Sequence, residues 1–241
     1  MRKALIQPFF ADLKTFLLDT LFPITCLRCG AEGRFVCGLC LSELAKLDKQ
    51  YCIACQKPSL GGFTHPRCIA PRGADGLISI LNYHDDSVAT IIVNGKYHFL
   101  PGVFGELGKL LAHQLSAHYP LLTTRFILVP LPLHKRRLRW RGFNQAEILC
   151  RAIGKELTLP VMDALVRTKA TKTQKDLKRG QRIKNIRDAF DINPAIKSQI
   201  KNLNFLLVDD VITTGSTVLE AAKVLKKNGA RSVWCLTIAR D

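Results

Sequence analysis

The stretch Leu206-Leu207-Val208-Asp209-Asp210-Val211-Ile212-Thr213-Thr214-Gly215-Ser216-Thr217 runs from an apolar segment through a hydroxyl-rich turn into a helix. Asn204–Val208 is short and almost wholly apolar, as a strand covered on both faces must be. Ser216–Lys227 has helical periodicity and is closed by Gly229. Between them, Thr213 to Thr217 offer hydroxyls and backbone N–H groups at a helix N-terminus, a ready cradle for phosphate. Gly215 lets the backbone approach an anion with no side chain in the way. Asp209 and Asp210 would repel phosphate, so they suit partners that donate to carboxylates, namely ribose hydroxyls or a divalent cation. A phosphate cradle beside a diol acceptor describes a 5-phosphoribose. The plainer alternative, an N-capped helix after a buried strand, needs one capping residue rather than this whole series.

Outward from this stretch the pattern repeats. Strands are expected at Leu77–Tyr83, Phe126–Leu131 and Ser232–Ala239, and helices at Gly102–His118 and from about Asn144 to Leu157. Alternation at these lengths predicts an α/β fold, with a mainly parallel sheet and helices on both faces. Ligands in such sheets bind beyond the carboxyl ends of the strands, which points to the turns after Leu131 and Val208.

Of the 241 residues, 47% are hydrophobic, which excludes wholesale disorder. No run of 18 apolar residues appears, so no transmembrane helix is expected. The basic start Met1-Arg2-Lys3 is followed by Asp12, Lys14 and Asp19, and no secretory signal is expected. The formal net charge of +17 calls for a polyanion: phosphate ligand, nucleic acid or anionic lipid. The segment Arg125–Arg187 alone carries 17 Lys and Arg against 4 Asp and Glu. A solvated face is the bland explanation; clustering in two expected loops favours a ligand equally.

Seven of the nine cysteines crowd into 43 residues. Cys26-x-x-Cys29 with Cys37-x-x-Cys40, and Cys52-x-x-Cys55 with His65-x-x-Cys68, make two pairs of knuckles of similar size. A two-residue gap lets both ligands of one tight turn take adjacent corners of a tetrahedron. The expectation is a double ribbon holding structural Zn²⁺, one ion on four cysteines and one on three cysteines and His65. The alternatives are redox chemistry, or a single metal on four of the seven thiols. Such a small module buries little core, so metal should carry its fold. Cys150 and Cys235 lie in apolar contexts and read as inert core residues. Before the ribbon, Phe9, Leu13, Phe16, Leu17 and Leu21 make an amphipathic helix over Pro8–Phe22, packed on the body or touching a membrane surface. The expected domains are therefore 1–23, the N-terminal helix; 24–71, the double zinc ribbon; and 72–241, the sheet domain.

Leu206 to Thr217 resembles the phosphoribosyl-pyrophosphate signature of type I phosphoribosyltransferases. Val129-Pro130-Leu131-Pro132-Leu133-His134, Arg137, Arg141-Gly142-Phe143-Asn144-Gln145-Ala146, Thr173-Gln174, Arg182, Asn185, Ala189-Phe190 and Ala239-Arg240 resemble the ComF-type competence proteins. Phe22-Pro23 ahead of the ribbon is similar too, while His65 stands where that family usually has cysteine. The resemblance spans nearly the whole chain. It implies Mg²⁺-dependent transfer from phosphoribosyl pyrophosphate with inversion at the anomeric carbon, Asp209 and Asp210 holding the ribose. Lys135, Arg136, Arg137 and Arg141 would face the pyrophosphate, and Arg167–Arg187 would include a mobile hood. Lys96 sits where the family has a basic residue, although a lone lysine is usually solvated.

The competing expectation is a binding protein. The same family is linked to natural transformation, handling single-stranded DNA on the cytoplasmic side of the inner membrane with the DNA-uptake machinery. Arg139 and Trp140, with Arg179 and Arg182 in the second basic segment, would suit backbone contacts with stacking. Trp140 as a plain amphipathic residue at a loop edge is the alternative.

Overall fold

Among the described residues six strands form in the order of the chain: β1 (Gly76–Asn82), β2 (Phe126–Pro130), β3 (Leu165–Arg167), β4 (Phe190–Ile192), β5 (Asn204–Ile212) and β6 (Ser232–Arg240). The computed structural model describes residues 23–69, 73–169 and 186–241. Four of the strands make one sheet in the order β1-β6-β5-β2, every pair parallel. The central strands are buried on both faces, as Phe205–Val208 and Val233–Ala239 show. That explains their near-continuous apolar character. A polar pair inside the sheet, Ser79 and Thr237, is satisfied by a hydroxyl–hydroxyl hydrogen bond of 2.7 Å. β3 and β4 pair antiparallel as a separate two-stranded ribbon.

The α-helices among the described residues are α1 (Gly38–Ser42), α2 (Asp86–Tyr97), α3 (Pro101–His118), α4 (Lys135–Arg141), α5 (Gln145–Leu157) and α6 (Ser216–Lys227). Residues Phe205, Leu207, Val233 and Cys235 share a core with Val218, Ala221, Ala222 and Leu225 of α6. Strand side chains alternate between faces, so the opposite face is left to α3 and α5. Those two helices meet closely: a Cβ on Gly108 would lie 2.6 Å from Ala152 Cβ. α2 begins at Asp85, whose side chain accepts from Val88 N–H at 3.0 Å. No helix among the described residues is long and apolar enough to cross a membrane.

The structure departs from the sequence reading in two places that matter. β5 continues through Asp209 and Asp210 to Ile212, where a turn directly after Val208 was expected. The reason is β6, which stays in register as far as Ile212 opposite Arg240 and so carries two carboxylates inside a ladder. β2 stops at Pro130 opposite Val208, and Leu131 N–H makes the last bond to Val208. Beyond that point one edge of β5 is open. Secondly, Lys135–Arg141 is a helix, not a loop. His134 Nδ1 accepts from Arg136 N–H, and Gly142, at φ +78°, closes the other end.

The described residues divide into two compact units between Glu43 and Leu44. In the first, Gly30 (φ +77°) closes the Cys26–Cys29 turn, Thr25 bridges Glu32, and Arg28 pairs with Glu43. In the second, Ala45–Leu47 runs antiparallel to the edge of β1, and the Cys52–Cys68 cluster follows. The helix expected over Pro8–Phe22 lies outside the described residues, as do Arg179 and Arg182.

Candidate phosphoribose and metal sites

The open edge of β5 borders a cleft of about 170 Å³ lined by the strand end, the turn into α6, and the segments after β1 and β2. The turn is the expected one: Gly215, at φ +74°, caps α6, and Thr214 Oγ1 lies 3.0 Å from Ser216 Oγ. Thr213, Thr214, Gly215, Ser216 and Thr217 all line the cleft with Asp209 and Asp210. Among the basic candidates, Arg137 and Arg141 join them, whereas Lys135 and Arg136 are exposed outside it. Helix formation explains this split: over Lys135–Arg141 only residues a turn apart share a face, and 137 and 141 are that pair.

The two carboxylates differ in surroundings. Asp210 is buried, and its Oδ1 accepts from Lys96 Nζ at 2.9 Å and from Val211 N–H at 2.6 Å. Its Oδ2 is buried with no hydrogen-bond partner. A buried carboxyl oxygen left so is costly, and fits an atom supplied by a ligand, either a hydroxyl donor or a cation. Asp209 is half-buried and accepts from Asp210 N–H at 2.9 Å. Burial first, and the neighbouring Asp210 second, push its carboxyl up to about 7.

Opposing them, Arg141 is 6% exposed, donates to Gln145 Oε1 at 2.7 Å, and lies over Tyr97 at 6.0 Å. Arg167, over the Phe190 ring at 5.4 Å, is lowered to about 10 by burial and by Arg137. Two side chains that sequence reasoning undervalued or missed thus belong to the cleft, Lys96 and Arg167. Lys96 carried a signal, Asn94-Gly95-Lys96, but its partner lies 114 positions away in sequence. Arg167 stood only as the first residue of the basic Arg167–Arg187 segment, with no role of its own.

At the rim, Trp140 (54% exposed) meets Tyr97 and Phe99 edge-on, with ring centroids 5.9 and 5.5 Å apart. Tyr97 lines the cleft, so the aromatic group is continuous with it. Arg139 is exposed beside Trp140.

The two cysteine clusters form as the spacing implied. In each set, Cys26, Cys29, Cys37, Cys40 and Cys52, Cys55, His65, Cys68, one ligand atom per residue lies within 4.8 Å of all the others. All the cysteines are free thiols. Cys37 N–H donates to Cys26 Sγ and His65 N–H to Cys52 Sγ, at 3.4 and 3.5 Å. His65 Nδ1 is 3.3 Å from Cys55 Sγ, while its Nε2 is 3.1 Å from the Pro58 carbonyl. An Nε2–H donated to that carbonyl leaves Nδ1 as the ligand, and donation of the other ring N–H is the rule for a metal-binding imidazole. Burial alone would raise Cys26, but backbone N–H donation from Cys37, Cys29 and Arg28 outweighs it and brings the thiol down to about 6. Burial and the neighbouring thiols push Cys40 up to about 12. The two donor sets, four thiols in one and three thiols with an imidazole in the other, fit tetrahedral zinc. Cys150 and Cys235 are fully buried in the sheet domain and belong to neither cluster.

Residues 141–241 match the phosphoribosyl transferase domain family, and residues 17–69 match the double zinc ribbon domain family. The chain is 32% identical over 214 residues to DNA utilization protein YhgH of Escherichia coli O157:H7, covering 83% of this chain and 89% of that protein. It is 37% identical over 209 residues to Competence protein F of Haemophilus influenzae, covering 85% and 84%. With Competence protein ComFC of Bacillus subtilis the identity is 29% over 214 residues, covering 86% and 84%.

Proposed function

Because this chain belongs to the ComF-type competence protein family, a phosphoribosyltransferase-type domain with a double zinc ribbon, we propose that its cleft binds Mg²⁺–phosphoribosyl pyrophosphate and transfers the phosphoribosyl group. The observation that carries this reading is the open end of β5. There, an unpartnered buried Asp210 Oδ2 and a carboxyl poised near neutrality stand beside a glycine-capped phosphate turn.

In this account the N–H groups and hydroxyls of Thr213–Thr217 hold the 5-phosphate at the α6 N-terminus. Asp209 and Asp210 accept from the two ribose hydroxyls, and bound ligand shifts Asp209 to its ionised form. Arg137, Arg141 and Lys96 face the pyrophosphate. Asp209 and Asp210 would help to hold Mg²⁺ brought in with the ligand, and that ion would supply charge neutralisation for the leaving group. The bond from the anomeric carbon to pyrophosphate breaks as an acceptor attacks from the opposite face, and both electrons of that bond leave with pyrophosphate. Positive charge developing on the ribose is stabilised by the two carboxylates, so catalysis is positioning and electrostatics. The residues Asp209, Asp210 and Thr213 to Thr217, with Lys96, Arg137 and Arg141, are the proposed binding set. Pyrophosphate release in the presence of Mg²⁺–phosphoribosyl pyrophosphate tests it. Release should vanish in Asp209→Asn plus Asp210→Asn, and an unaltered double variant would refute the assignment.

The aromatic rim supports a second role on the same surface. Tyr97, Phe99 and Trp140 expose ring area beside Arg139, the composition of a stacking platform for single-stranded DNA. The names of the relatives, DNA utilization and competence proteins, agree with a part in DNA uptake. In that role the protein meets DNA on the cytoplasmic side of the inner membrane, with one Zn²⁺ held by each of the two cysteine clusters. Oligothymidylate binding that weakens steeply with salt and with Trp140→Ala would bear this out. Binding indifferent to both would exclude this platform.

A further inference from the structure

The phosphate turn rests on the second cysteine knuckle. A Cβ placed on Gly215 would lie 3.2 Å from Ile53 Cγ1 and 3.3 Å from the Ile53 carbonyl oxygen. Ile53 is 1% exposed, so it is a fixed floor rather than a yielding side chain. Next to it, Gln56 Nε2 donates to the Thr214 carbonyl at 3.1 Å, and Gln56 Oε1 accepts from Arg240 Nη2 at 3.1 Å. Arg240 in turn lies over the Tyr51 ring at 4.7 Å. Gln56 holds φ +64°, a left-handed conformation, and its N–H donates to the Cys52 carbonyl at 2.9 Å. Ile53 lies between Cys52 and Cys55, and Gln56 follows directly. The position of both is therefore set by where those two thiolates are held.

We propose that Ile53 and Gln56 are positioning residues for the phosphate turn, so that metal on Cys52, Cys55, His65 and Cys68 and a phosphorylated ligand on Thr213–Thr217 stabilise one another. The proposal rests on the cleft being a phosphoribose site. The zinc ribbon is then more than a foldable appendage: losing its second metal releases the floor of the turn and lowers ligand affinity. Coupling of this kind is reciprocal, so ligand must also tighten the metal site.

The test uses the full-length, zinc-loaded protein with ribose 5-phosphate as probe. Zinc release to a chromogenic chelator is followed with and without a saturating concentration of the probe. One release phase should slow at least about fivefold with ligand, within the usual range of coupling between sites. That phase should be missing in Cys68→Ser. Gln56→Ala keeps all four ligands and a Cβ at the same φ; it should bind ribose 5-phosphate roughly five- to tenfold more weakly, as expected for the loss of one hydrogen bond to the turn. The ligand should also lose its effect on zinc release in this variant. Gln56→Glu keeps the acceptor for Arg240 but removes the donor to Thr214, and should behave like Gln56→Ala. Lys57→Ala, at an exposed neighbour, should behave as wild type. Saturable binding with both release phases unchanged overturns the coupling, as does wild-type affinity in both Gln56 variants. Failure of wild type to bind the probe at all overturns the cleft assignment and the coupling with it, a separate result.

Discussion

Replacing Asp209 by Asn should make the unliganded protein more stable at alkaline pH, although it removes a residue of the proposed site. The carboxyl is half-buried, next to Asp210, with one backbone N–H donor to set against those two penalties. Its folded value, pushed up to about 7, compares with about 3.9 for a free aspartate. For a carboxyl raised in this way the folded state holds more protons than the unfolded one between the two values. Stability therefore falls as pH rises through that window, and stays low above it. Between pH 6 and pH 9 the loss integrates to about one unit, or about 1.4 kcal/mol at most, since water in the cleft softens burial. Urea unfolding of zinc-loaded protein at pH 6, 7, 8 and 9, followed by Trp234 fluorescence in β6, measures it. Wild type should lose up to about 1.4 kcal/mol across the series. The Asn variant should lack that loss, so the gap between the two proteins widens with pH. A gap that is constant with pH, or an Asn variant less stable than wild type at pH 9, would refute the electrostatic account of this residue.

Lys96→Met leaves Asp210 buried without its partner and should cost about 3 kcal/mol, with added loss of phosphoribosyl pyrophosphate affinity; unfolding in urea and calorimetry measure the two effects. Gly215→Ala drives a Cβ toward Ile53 at a left-handed φ, and should cost about 1–2 kcal/mol and weaken ligand binding about tenfold or more. Cys52→Ser should lower the zinc content of purified protein by one ion, leaving the Cys26–Cys40 site loaded; elemental analysis gives the count. Trp140→Ala should weaken oligothymidylate binding by about 1–3 kcal/mol while leaving ribose 5-phosphate binding unchanged, as fluorescence titration would show.

The parts of this molecule legible in its sequence are those whose chemistry is local. Cys-x-x-Cys turns, the Thr213–Thr217 series and the Ser216–Lys227 helix each announce themselves within a dozen residues, and the structure has them there. The runs at Phe126 and Asn204 declared buried strands because both faces had to be apolar. Features decided by distant partners were not legible. Asp209 and Asp210 look like turn residues until β6 pairs with them, and Lys96 looks solvated until Asp210 arrives beside it. Lys135–Arg141 is so basic that helical order was hidden, and only the His134 and Gly142 caps betray it. The support of the phosphate turn by Ile53 and Gln56 joins residues more than 150 positions apart, beyond any local pattern.

Titration calorimetry of Mg²⁺–phosphoribosyl pyrophosphate into wild type and the Asp209→Asn, Asp210→Asn double variant tests the central claim most directly. Saturable one-to-one binding by wild type, weakened at least about 100-fold in the double variant by loss of two charge-assisted contacts, is the predicted result. Equal binding by the two proteins, or none by wild type, would contradict the claim that the open end of β5 is a phosphoribose site.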